Sequence, residues 1–505
     1  MVDEGARARG TYGIPEYDAR RQVELELIVD KGYMTYFMIE KNSVDWARTQ
    51  GIRIGDGRGS AAGSLVNYEL FITGVDPIQY GLIFERFLDP SRDDKPDIDT
   101  DIQDNRRGEV KAYAKHTFKN TGNIMTFTYL EGKNIIQDAG KILGVPYAER
   151  KAITAEIEGW DDFLTSPKSK TFRDKYPEII ELGELIKGRL RSVGMHAAGV
   201  VMSKEPLDKY AAVESAADPD NKGSRVEVLA MDQNRAESLG LIKFDSLGLA
   251  ALTKIQHTLD IIEKRHGVAP VMEDMTYDDP EVFKTFTKGG VTGIFQAEGA
   301  AFADILDKMP IESFEDIVAA TSLIRPGAAD SSFGQKYLNA RNGGPWKPYC
   351  EVMRPFTEDT FGQILMQEQL MFTCVEVAGM SMADANKVRR IIGKKKDVSE
   401  FGPFRDAFVN GSVERGNLTE KQAKAMWADF EKAANYMFNK SHAVAYSFLT
   451  YQMAWLKHYY PTEFRYALLE TEGDPTTKIL YLSEVKRLRI RLQSPHIEDP
   501  DSKMT

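Results

Sequence analysis

The chain has 505 residues, of which 42% are hydrophobic, and its formal net charge is -11. At about 150 residues per domain this length allows roughly three or four domains, which excludes a single small binding module. No apolar run approaches the roughly 20 residues of a membrane-spanning helix and the charged N-terminus lacks a signal-peptide core, so we expect a cytoplasmic protein with no membrane partner.

The spacing of apolar residues predicts a mixed first half and a helical second half. The first predicted elements are two amphipathic helices within 17–46, a short strand at 52–54 that leads into a glycine-rich loop at 55–60, and a helix at 61–71. A strand at 95–102, a helix at 106–118 and a helical insertion at 147–188 follow. Strands at 198–203 and 240–245 come next, and the chain from 249 to 461 is predicted to be mostly helical. This order indicates an α+β fold.

An acidic segment carries the first candidate site. Asp97 and Asp99 are two residues apart, and in a strand that spacing places both carboxylates on one face, with Asp101 further along the same face. Carboxylates held side by side repel one another unless a hard cation lies between them, and Mg²⁺ prefers oxygen ligands. The pattern favours a metal site, and a solvated acidic strand edge is the alternative.

The glycine-rich loop is a candidate phosphate site. Glycines allow backbone N–H groups to approach an anion, and the positive end of the following helix points at it. Within the loop, Arg58 and Ser60 flank Gly59 and add a charge and a hydroxyl donor. The loop lacks the Gly-Lys-Ser/Thr ending of a P-loop, so a plain turn remains the alternative.

Two further features carry charge. Lys243 and Asp245 share a face of a predicted strand, which suits phosphate and metal respectively, and a surface ion pair is the alternative. A dense basic cluster follows in the helical half, and it suits a triphosphate or a nucleic-acid backbone as well as a solvated helix face. Its members are Lys387, Arg389, Arg390, Lys394, Lys395 and Lys396.

In this order the motifs resemble the alpha subunit of bacterial DNA polymerase III, the C family of DNA polymerases, over about 17–495. The matching stretches are GRGSAAGSLV (57–66), FERFL (84–88), PDIDTD (96–101), KFD (243–245), RPG (325–327), RR with GKKK (389–390 and 393–396) and FNKSH (438–442).

The resemblance implies a polymerase beta-like nucleotidyltransferase palm with a helical thumb insertion and large, mostly helical fingers. The corresponding bounds are palm at 1–128 and 187–250, thumb at 129–186, fingers at 251–480 and a C-terminal extension at 481–505. It assigns Asp97, Asp99 and Asp245 as the catalytic ligands of two Mg²⁺ ions, for which Mn²⁺ is a possible substitute.

The resemblance also assigns residues to the two substrates. The residues expected to bind the incoming nucleotide are Arg58, Gly59, Ser60, Arg86, Lys243, Arg389 and Arg390. The residues expected to bind DNA are Lys133, His196, Lys394, Lys395, Lys396, Asn439, Lys440 and His442. From the residues alone, His196 suits a phosphate contact and a satisfied structural histidine equally.

The expected activity is template-directed addition of deoxynucleotides to a primer 3′ end, in a bacterial cell or a phage-infected host. A template-independent nucleotidyltransferase and a catalytically silent DNA-binding subunit are the alternatives. The flanking PHP, helix-hairpin-helix, clamp-binding and OB-fold regions usual in the family have no counterpart in the sequence. A phage-encoded minimal enzyme, a split subunit or a fragment would each explain this, and a sliding clamp, an exonuclease or other replisome subunits supplied separately are candidate partners.

Overall fold

A computed structural model describes residues 1–91, 95–218, 223–325, 327–393, 402–433 and 436–491. The strands are β1 Asp99–Gln103, β2 Thr121–Tyr129, β3 Leu190–Met202, β4 Val213–Ala217, β5 Arg225–Leu229 and β6 Ile242–Leu249. The helices before β6 are α1 Val2–Arg9, α2 Pro15–Asp30, α3 Met34–Thr49, α4 Leu65–Glu69, α5 Arg107–Thr117, α6 Lys133–Ile142, α7 Tyr147–Glu156, α8 Trp160–Thr165, α9 Lys170–Lys175, α10 Glu178–Ile186 and α11 Gln233–Ser238.

The chain after β6 is helical. Its helices are α12 Ala250–His266, α13 Pro280–Phe283, α14 Ala300–Leu306, α15 Phe314–Leu323, α16 Ser332–Arg341, α17 Arg354–Thr357, α18 Gln367–Phe372, α19 Met382–Gly393, α20 Gly402–Glu414, α21 Glu420–Ala433, α22 Lys440–Tyr459, α23 Pro461–Thr471 and α24 Pro475–Arg487. Helices therefore dominate beside a mixed sheet, and the predicted α+β class is confirmed.

The chain divides into two compact units. The first contains Met1–Val110 together with Asp245–Thr505, and the second contains Lys111–Phe244. Strand β6 begins in the second unit, and its residues from Asp245 onward belong to the first.

In the first unit, β1 pairs in parallel with the end of β6. The register sets Asp99 opposite Asp245 and Gln103 opposite Leu249. The segment before the glycine-rich loop runs beside the other edge of β1, because the Gly55 N–H donates to the Asp101 carbonyl over 2.9 Å. These contacts place the loop and both strands at one edge of the unit's core.

Two details of the sequence prediction are wrong. The predicted strand at 52–54 is reduced to one antiparallel bridge between Ile54 and Ile102, because the chain turns away into the loop directly afterwards. The acidic strand begins at Asp99, so Asp97 lies in the extended segment before it. That segment is fixed by a side chain instead of a ladder, since the Ile98 N–H donates to the Tyr36 hydroxyl over 2.8 Å.

The two helices predicted between residues 17 and 46 are confirmed as α2 and α3. Helix α2 has Pro15 at its first position, where the missing N–H costs nothing because no intrahelical acceptor exists there. Helix α3 buries Tyr36, Phe37 and Glu40 among other residues on the face toward the core.

The second unit combines a sheet with a helical insertion. Strand β2 pairs antiparallel with β3 and parallel with β5, and β5 pairs antiparallel with β4. Helices α6 to α10 lie between β2 and β3 in the sequence and enclose a hydrophobic core of their own. The insertion predicted at 147–188 is therefore helical, and it begins earlier, at α6.

The helical half of the first unit is built around α22. This helix has 20 residues and buries most of them on all sides, which is typical of a central helix in a large core. It contacts α12, α13, α15 and α23. Across the residues that the structure describes, no helix is both long and apolar enough to cross a membrane.

The insertion provides a test of its packing. A Cβ at Gly183 on α10 would lie 2.0 Å from Cη2 of Trp160, a ring that stacks on Phe163 and is itself buried. Overpacking of this kind costs about 1–3 kcal/mol, more than the ~1 kcal/mol that alanine gains over glycine in a helix. Gly183→Ala should therefore lower the opening free energy of amides in residues 160–186 by about 1–2 kcal/mol, measured by hydrogen exchange.

The matched control is Gly194→Ala on β3, where no atom lies within 4 Å of the added Cβ. This variant should leave exchange of residues 160–186 unchanged. Equal protection of that segment in both variants would contradict the packing described here.

Candidate active site

Three carboxylates converge at the edge of the first unit. Asp97, Asp99 and Asp245 each place one carboxylate oxygen within 4.8 Å of the others. The three residues are graded in exposure, since Asp97 is exposed, Asp99 half-buried and Asp245 buried. The parallel register of β1 and β6 brings two of them together. A set of three hard oxygen donors that is open on one side suits a divalent cation that keeps positions for substrate oxygens.

A buried acid lies behind this trio. Glu40 of α3 is fully buried, and one of its carboxylate oxygens accepts a hydrogen bond of 3.4 Å from the Thr100 hydroxyl on β1. Burial raises the pKa of Glu40 well above its ordinary value, and the negative charge of Asp245 raises it further. Both effects favour the neutral form of Glu40.

Asp101 is separate from the trio and has a cationic partner. Its carboxylate accepts a hydrogen bond of 3.1 Å from Nη1 of Arg58, and the Arg58 Nε lies 4.0 Å from an oxygen of Asp99. Burial raises the pKa of Asp101, and the guanidinium opposes that rise. Arg58 therefore joins the glycine-rich loop to the acidic strand.

The glycine-rich loop is also fixed by the start of α22. The Gly59 N–H donates to Nδ1 of His442 over 3.2 Å, and the His442 ring stacks on Phe438. Burial lowers the pKa of His442 to about 4, and the positive charges of Arg58 and Arg325 act in the same direction. His442 is therefore neutral at physiological pH, and its Nδ1 is an acceptor. Ser60 follows in the loop and precedes a short 3-10 turn at Ala61–Gly63.

Two of the predicted arginines meet on one amide. The Gln367 side-chain oxygen lies 3.3 Å from the Arg86 Nε and 3.4 Å from Nη1 of Arg389. Arg389 also donates from Nε to the Asn386 amide oxygen over 2.9 Å. Burial lowers the pKa of Arg86. Arg390 is the next residue on α19 and is half-buried.

Asn439 and Lys440 have structural contacts at the start of α22. Asn439 is the N-cap, and its side chain accepts from the His442 N–H over 3.1 Å. The Lys440 backbone N–H donates to Glu368 over 2.8 Å. The Lys440 ammonium faces the carboxylates of Asp359, Glu368 and Glu315, and burial lowers its pKa.

The remaining predicted residues are not part of this cluster as the structure describes it. Lys133, His196 and Lys243 belong to the second unit. Lys133 is exposed at the start of α6, and Nδ1 of His196 accepts from the Gly199 N–H over 2.8 Å. Lys394, Lys395 and Lys396 lie outside the described residues.

Sequence reasoning missed three residues of the site. Tyr446 lies one helical turn after His442, so the FNKSH motif and the period of a helix together could have pointed to it. Its hydroxyl accepts from Nη1 of Arg58 over 2.7 Å. No sequence signal marks Glu40 or Gln367, because each acts through a partner that is remote in the chain.

Comparison with known proteins decides the family. A family model described as the bacterial DNA polymerase III alpha NTPase domain matches residues 1–248, and one described as the bacterial DNA polymerase III alpha subunit finger domain matches 251–416. The chain belongs to the bacterial DNA polymerase III alpha family. The predicted resemblance is confirmed.

Curated relatives agree with this assignment. The chain is 36% identical to DNA polymerase III subunit alpha of Campylobacter jejuni, over 95% of the chain and 41% of that protein. It is 34% identical to the proteins of the same name from Aquifex aeolicus and Escherichia coli, over 96% of the chain and 44% and 43% of theirs. The chain thus spans less than half the length of these polymerase III alpha relatives.

The two family matches divide the site. The NTPase-domain match contains the aspartate trio and the glycine-rich loop, and the finger-domain match contains Arg389 and Arg390. His442 and Tyr446 lie beyond both matched ranges. The start of α22 therefore adds contacts to the glycine-rich loop, through His442 and Tyr446, from a part of the chain outside both matches.

A cavity of about 1460 Å³ lies in the first unit on the other side of the glycine-rich loop. Asp56 lines it together with Tyr80, Tyr277, Glu273 and Lys440, and none of the three aspartates does. The Asp56 side chain is largely buried in the wall of the cavity, and part of the residue is exposed to solvent. The pKa of Asp56 is raised to about 6, chiefly by burial; Arg53 opposes the rise and Glu273 adds to it.

The raised pKa of Asp56 predicts a pH-dependent stability. Because the folded-state pKa lies above the unfolded-state value, ionisation of Asp56 destabilises the fold, and the effect grows as pH rises from about 4 to about 6. Asp56→Asn should therefore be more stable than the wild type by about 1–3 kcal/mol at pH 7.5 and equal to it near pH 4. Thermal unfolding across that pH range measures the difference.

Asp278→Asn is the matched control, because Asp278 lines the same cavity and is exposed. It should shift stability by less than about 0.5 kcal/mol at any pH. An Asp56→Asn variant less stable than the wild type at pH 7.5 would refute the destabilising role of the ionised carboxylate.

Proposed function

We propose that this chain is the catalytic core of a template-directed DNA polymerase that adds deoxynucleotides to a primer 3′ end. The carrying observation is the convergence of Asp97, Asp99 and Asp245 beside the loop of Arg58 and Gly59, in a member of this family. The curated relatives are named as subunits of a DNA polymerase, which supports the same activity.

The aspartate trio would hold two divalent cations, Mg²⁺ with Mn²⁺ as a substitute. The fit rests on the donor set, since three carboxylate oxygens within 4.8 Å of one another suit a hard cation. Bound cations of this kind activate the attacking hydroxyl and neutralise the triphosphate and its leaving group. The contribution of the chain is to fix the three carboxylates before substrate arrives, through the β1–β6 register and the Tyr36 contact to Ile98.

The incoming triphosphate would bind at the glycine-rich loop. Arg58 brings a guanidinium to the edge of the trio, and the loop residues Gly59 and Ser60 bring backbone and hydroxyl groups. The fingers would supply Arg389 and Arg390, and Arg86 of the palm would join them, since Arg86 and Arg389 share the Gln367 amide oxygen. Lys243 is proposed for the same role because it precedes Asp245 by two residues on β6.

His442 would contact substrate as a neutral group. Its Nδ1 accepts from Gly59, so the proton of the neutral ring is on Nε2, which is a donor. The low pKa of His442 supports a hydrogen bond to sugar, base or phosphate oxygen in place of a permanent ion pair. Asn439 supports it indirectly by capping the helix that carries it.

DNA would bind through the basic residues of both units. Lys394, Lys395 and Lys396 are the main candidates, with Lys133 and His196 in the second unit, whose helical insertion we propose as the thumb. Lys440 is a weaker candidate, because its ammonium already faces three carboxylates. The proposed domains are palm at 1–128 and 187–250, thumb at 129–186, fingers at 251–480 and an extension at 481–505.

Primer extension with each deoxynucleotide omitted in turn tests the proposal. A template-directed enzyme stops at the position where the omitted nucleotide is required, whereas a template-independent nucleotidyltransferase continues with whatever is supplied. A silent DNA-binding subunit does neither. A sliding clamp, an exonuclease and other replisome subunits are proposed partners, and addition of a clamp should raise the fraction of primers that reach the stop position without moving that position.

Substitution of the trio tests the metal assignment. Asp97→Asn, Asp99→Asn and Asp245→Asn should each lower the extension rate by more than about 100-fold. Loss of a group that only orients a metal ligand costs up to about 100-fold, and loss of a ligand itself should cost more. Thermal stability and primer-template affinity should stay near the wild-type values. Asp260→Asn, on the exposed side of α12, is the control and should extend normally. Extension near the wild-type rate by all three variants would reject the assignment of the trio as metal ligands.

The basic cluster is tested by salt dependence. Lys394→Glu, Lys395→Glu and Lys396→Glu combined should weaken DNA binding and reduce the slope of log K against log[salt] by about 1–3, because fewer counterions are released. The same three changes at Lys421, Lys424 and Lys432 of α21 alter the net charge equally and serve as control. Identical slopes for the two triple variants would place the cluster on a solvated face.

A further inference from the structure

One guanidinium nitrogen links the glycine-rich loop to the fingers. Nη1 of Arg58 donates to the Tyr446 hydroxyl over 2.7 Å and to the Asp101 carboxylate over 3.1 Å. Nε of the same guanidinium lies 4.0 Å from Asp99 in the trio. The orientation of Arg58 is therefore set by two groups that are not themselves members of the trio.

The position of the Tyr446 hydroxyl is fixed by packing. Tyr446 is 5% exposed, and its ring centroid lies 4.0 Å from that of His442 and 5.1 Å from that of Phe295. The ring therefore packs against one aromatic neighbour on α22 and one from another part of the chain. Its hydroxyl oxygen accepts from Nη1 of Arg58. The hydroxyl also faces the Asp101 carboxylate, which is an acceptor, so one phenol group can serve both partners.

The position of the Arg58 guanidinium also depends on the charge of the Asp101 carboxylate. The residue is 2% exposed, and a carboxylate buried to that degree needs a paired cation. Arg58 is the cation that the structure pairs with it. Movement of the guanidinium away from Asp101 leaves a buried carboxylate uncompensated, which makes the observed orientation the favoured one.

We propose that Tyr446 is a positioning residue for nucleotidyl transfer: its hydroxyl, together with Asp101, holds the Arg58 guanidinium at the edge of the aspartate trio in the orientation that receives the triphosphate. This inference rests on the proposed polymerase function. It also means that the packing of α22 determines the position of Arg58, a proposed nucleotide-binding residue far from α22 in the sequence.

A purely structural role for Tyr446 predicts a different outcome from a positioning role. Tyr446→Phe keeps the ring and its contacts to His442 and Phe295 and removes only the hydroxyl. Because the lost hydrogen bond involves a charged donor, we expect about a tenfold effect. Arg58 would contact the triphosphate in both ground state and transition state, so the effect should be a rise in KM for the nucleotide, with kcat changed less than about threefold.

The experiment measures steady-state extension by the full 505-residue chain, with Mg²⁺, a primer-template and a varied concentration of the single next deoxynucleotide. The variants are Tyr446→Phe, Arg58→Lys and the double variant. The matched control is Tyr451→Phe on the same helix as Tyr446, which removes a buried hydroxyl that accepts from the Asp279 N–H at the start of α13. Thermal unfolding of each variant separates a loss of fold from a loss of positioning.

The expected result is a raised nucleotide KM in Tyr446→Phe, a normal KM in Tyr451→Phe, and a double variant no worse than Arg58→Lys, since both changes act on one group. Equal KM values for the two phenylalanine variants, or additive losses in the double variant, would overturn the positioning role while the polymerase function stands. If the wild type fails to extend and Asp97→Asn behaves like it, the polymerase function fails and the inference falls with it.

Discussion

The repulsion among three carboxylates is the constraint on which the rest of the site depends. Two unit charges about 4 Å apart interact by roughly 4 kcal/mol even at an effective dielectric of 20, and here three such groups share a space of 4.8 Å. The fold holds them through the β1–β6 register, which sets Asp99 against Asp245, and through the Tyr36 hydroxyl, which accepts from the Ile98 N–H next to Asp97. Burial raises the pKa of Glu40 behind them, and the same field raises it further.

A second level of organisation joins remote parts of the chain to this centre. The glycine-rich loop contacts the trio through Arg58 and contacts α22 through Gly59. Each contact is a single hydrogen bond or ion pair, yet the two act on adjacent positions of one short loop. The loop is therefore held between the acidic strand and the helical half of the first unit, and neither alone determines where its backbone N–H groups point.

The sequence predicted the centre better than its surroundings, and the reason is physical. The spacing of Asp97 and Asp99 and the family resemblance are both local in the chain, so the trio could be named. Strand alternation predicts that Asp101 lies on the same face as Asp97 and Asp99. It does not reveal that Asp101 pairs with the Arg58 guanidinium. The partners of Arg58 are 43 and 388 residues away in the chain, and only tertiary packing brings them near. The short strand expected at 52–54 is reduced to the one bridge between Ile54 and Ile102, because the chain turns into the loop directly after Ile54.

The division of β6 between the two units has a consequence for the order in which the molecule is made. A nascent chain that has left the ribosome as far as residue 240 contains Asp97 and Asp99 and lacks their third partner, which arrives only after the whole second unit has been translated. The loop acquires its contacts to α22 later still. The aspartate trio is thus completed late in translation, and the incomplete chain presents two carboxylates without the strand that carries the third.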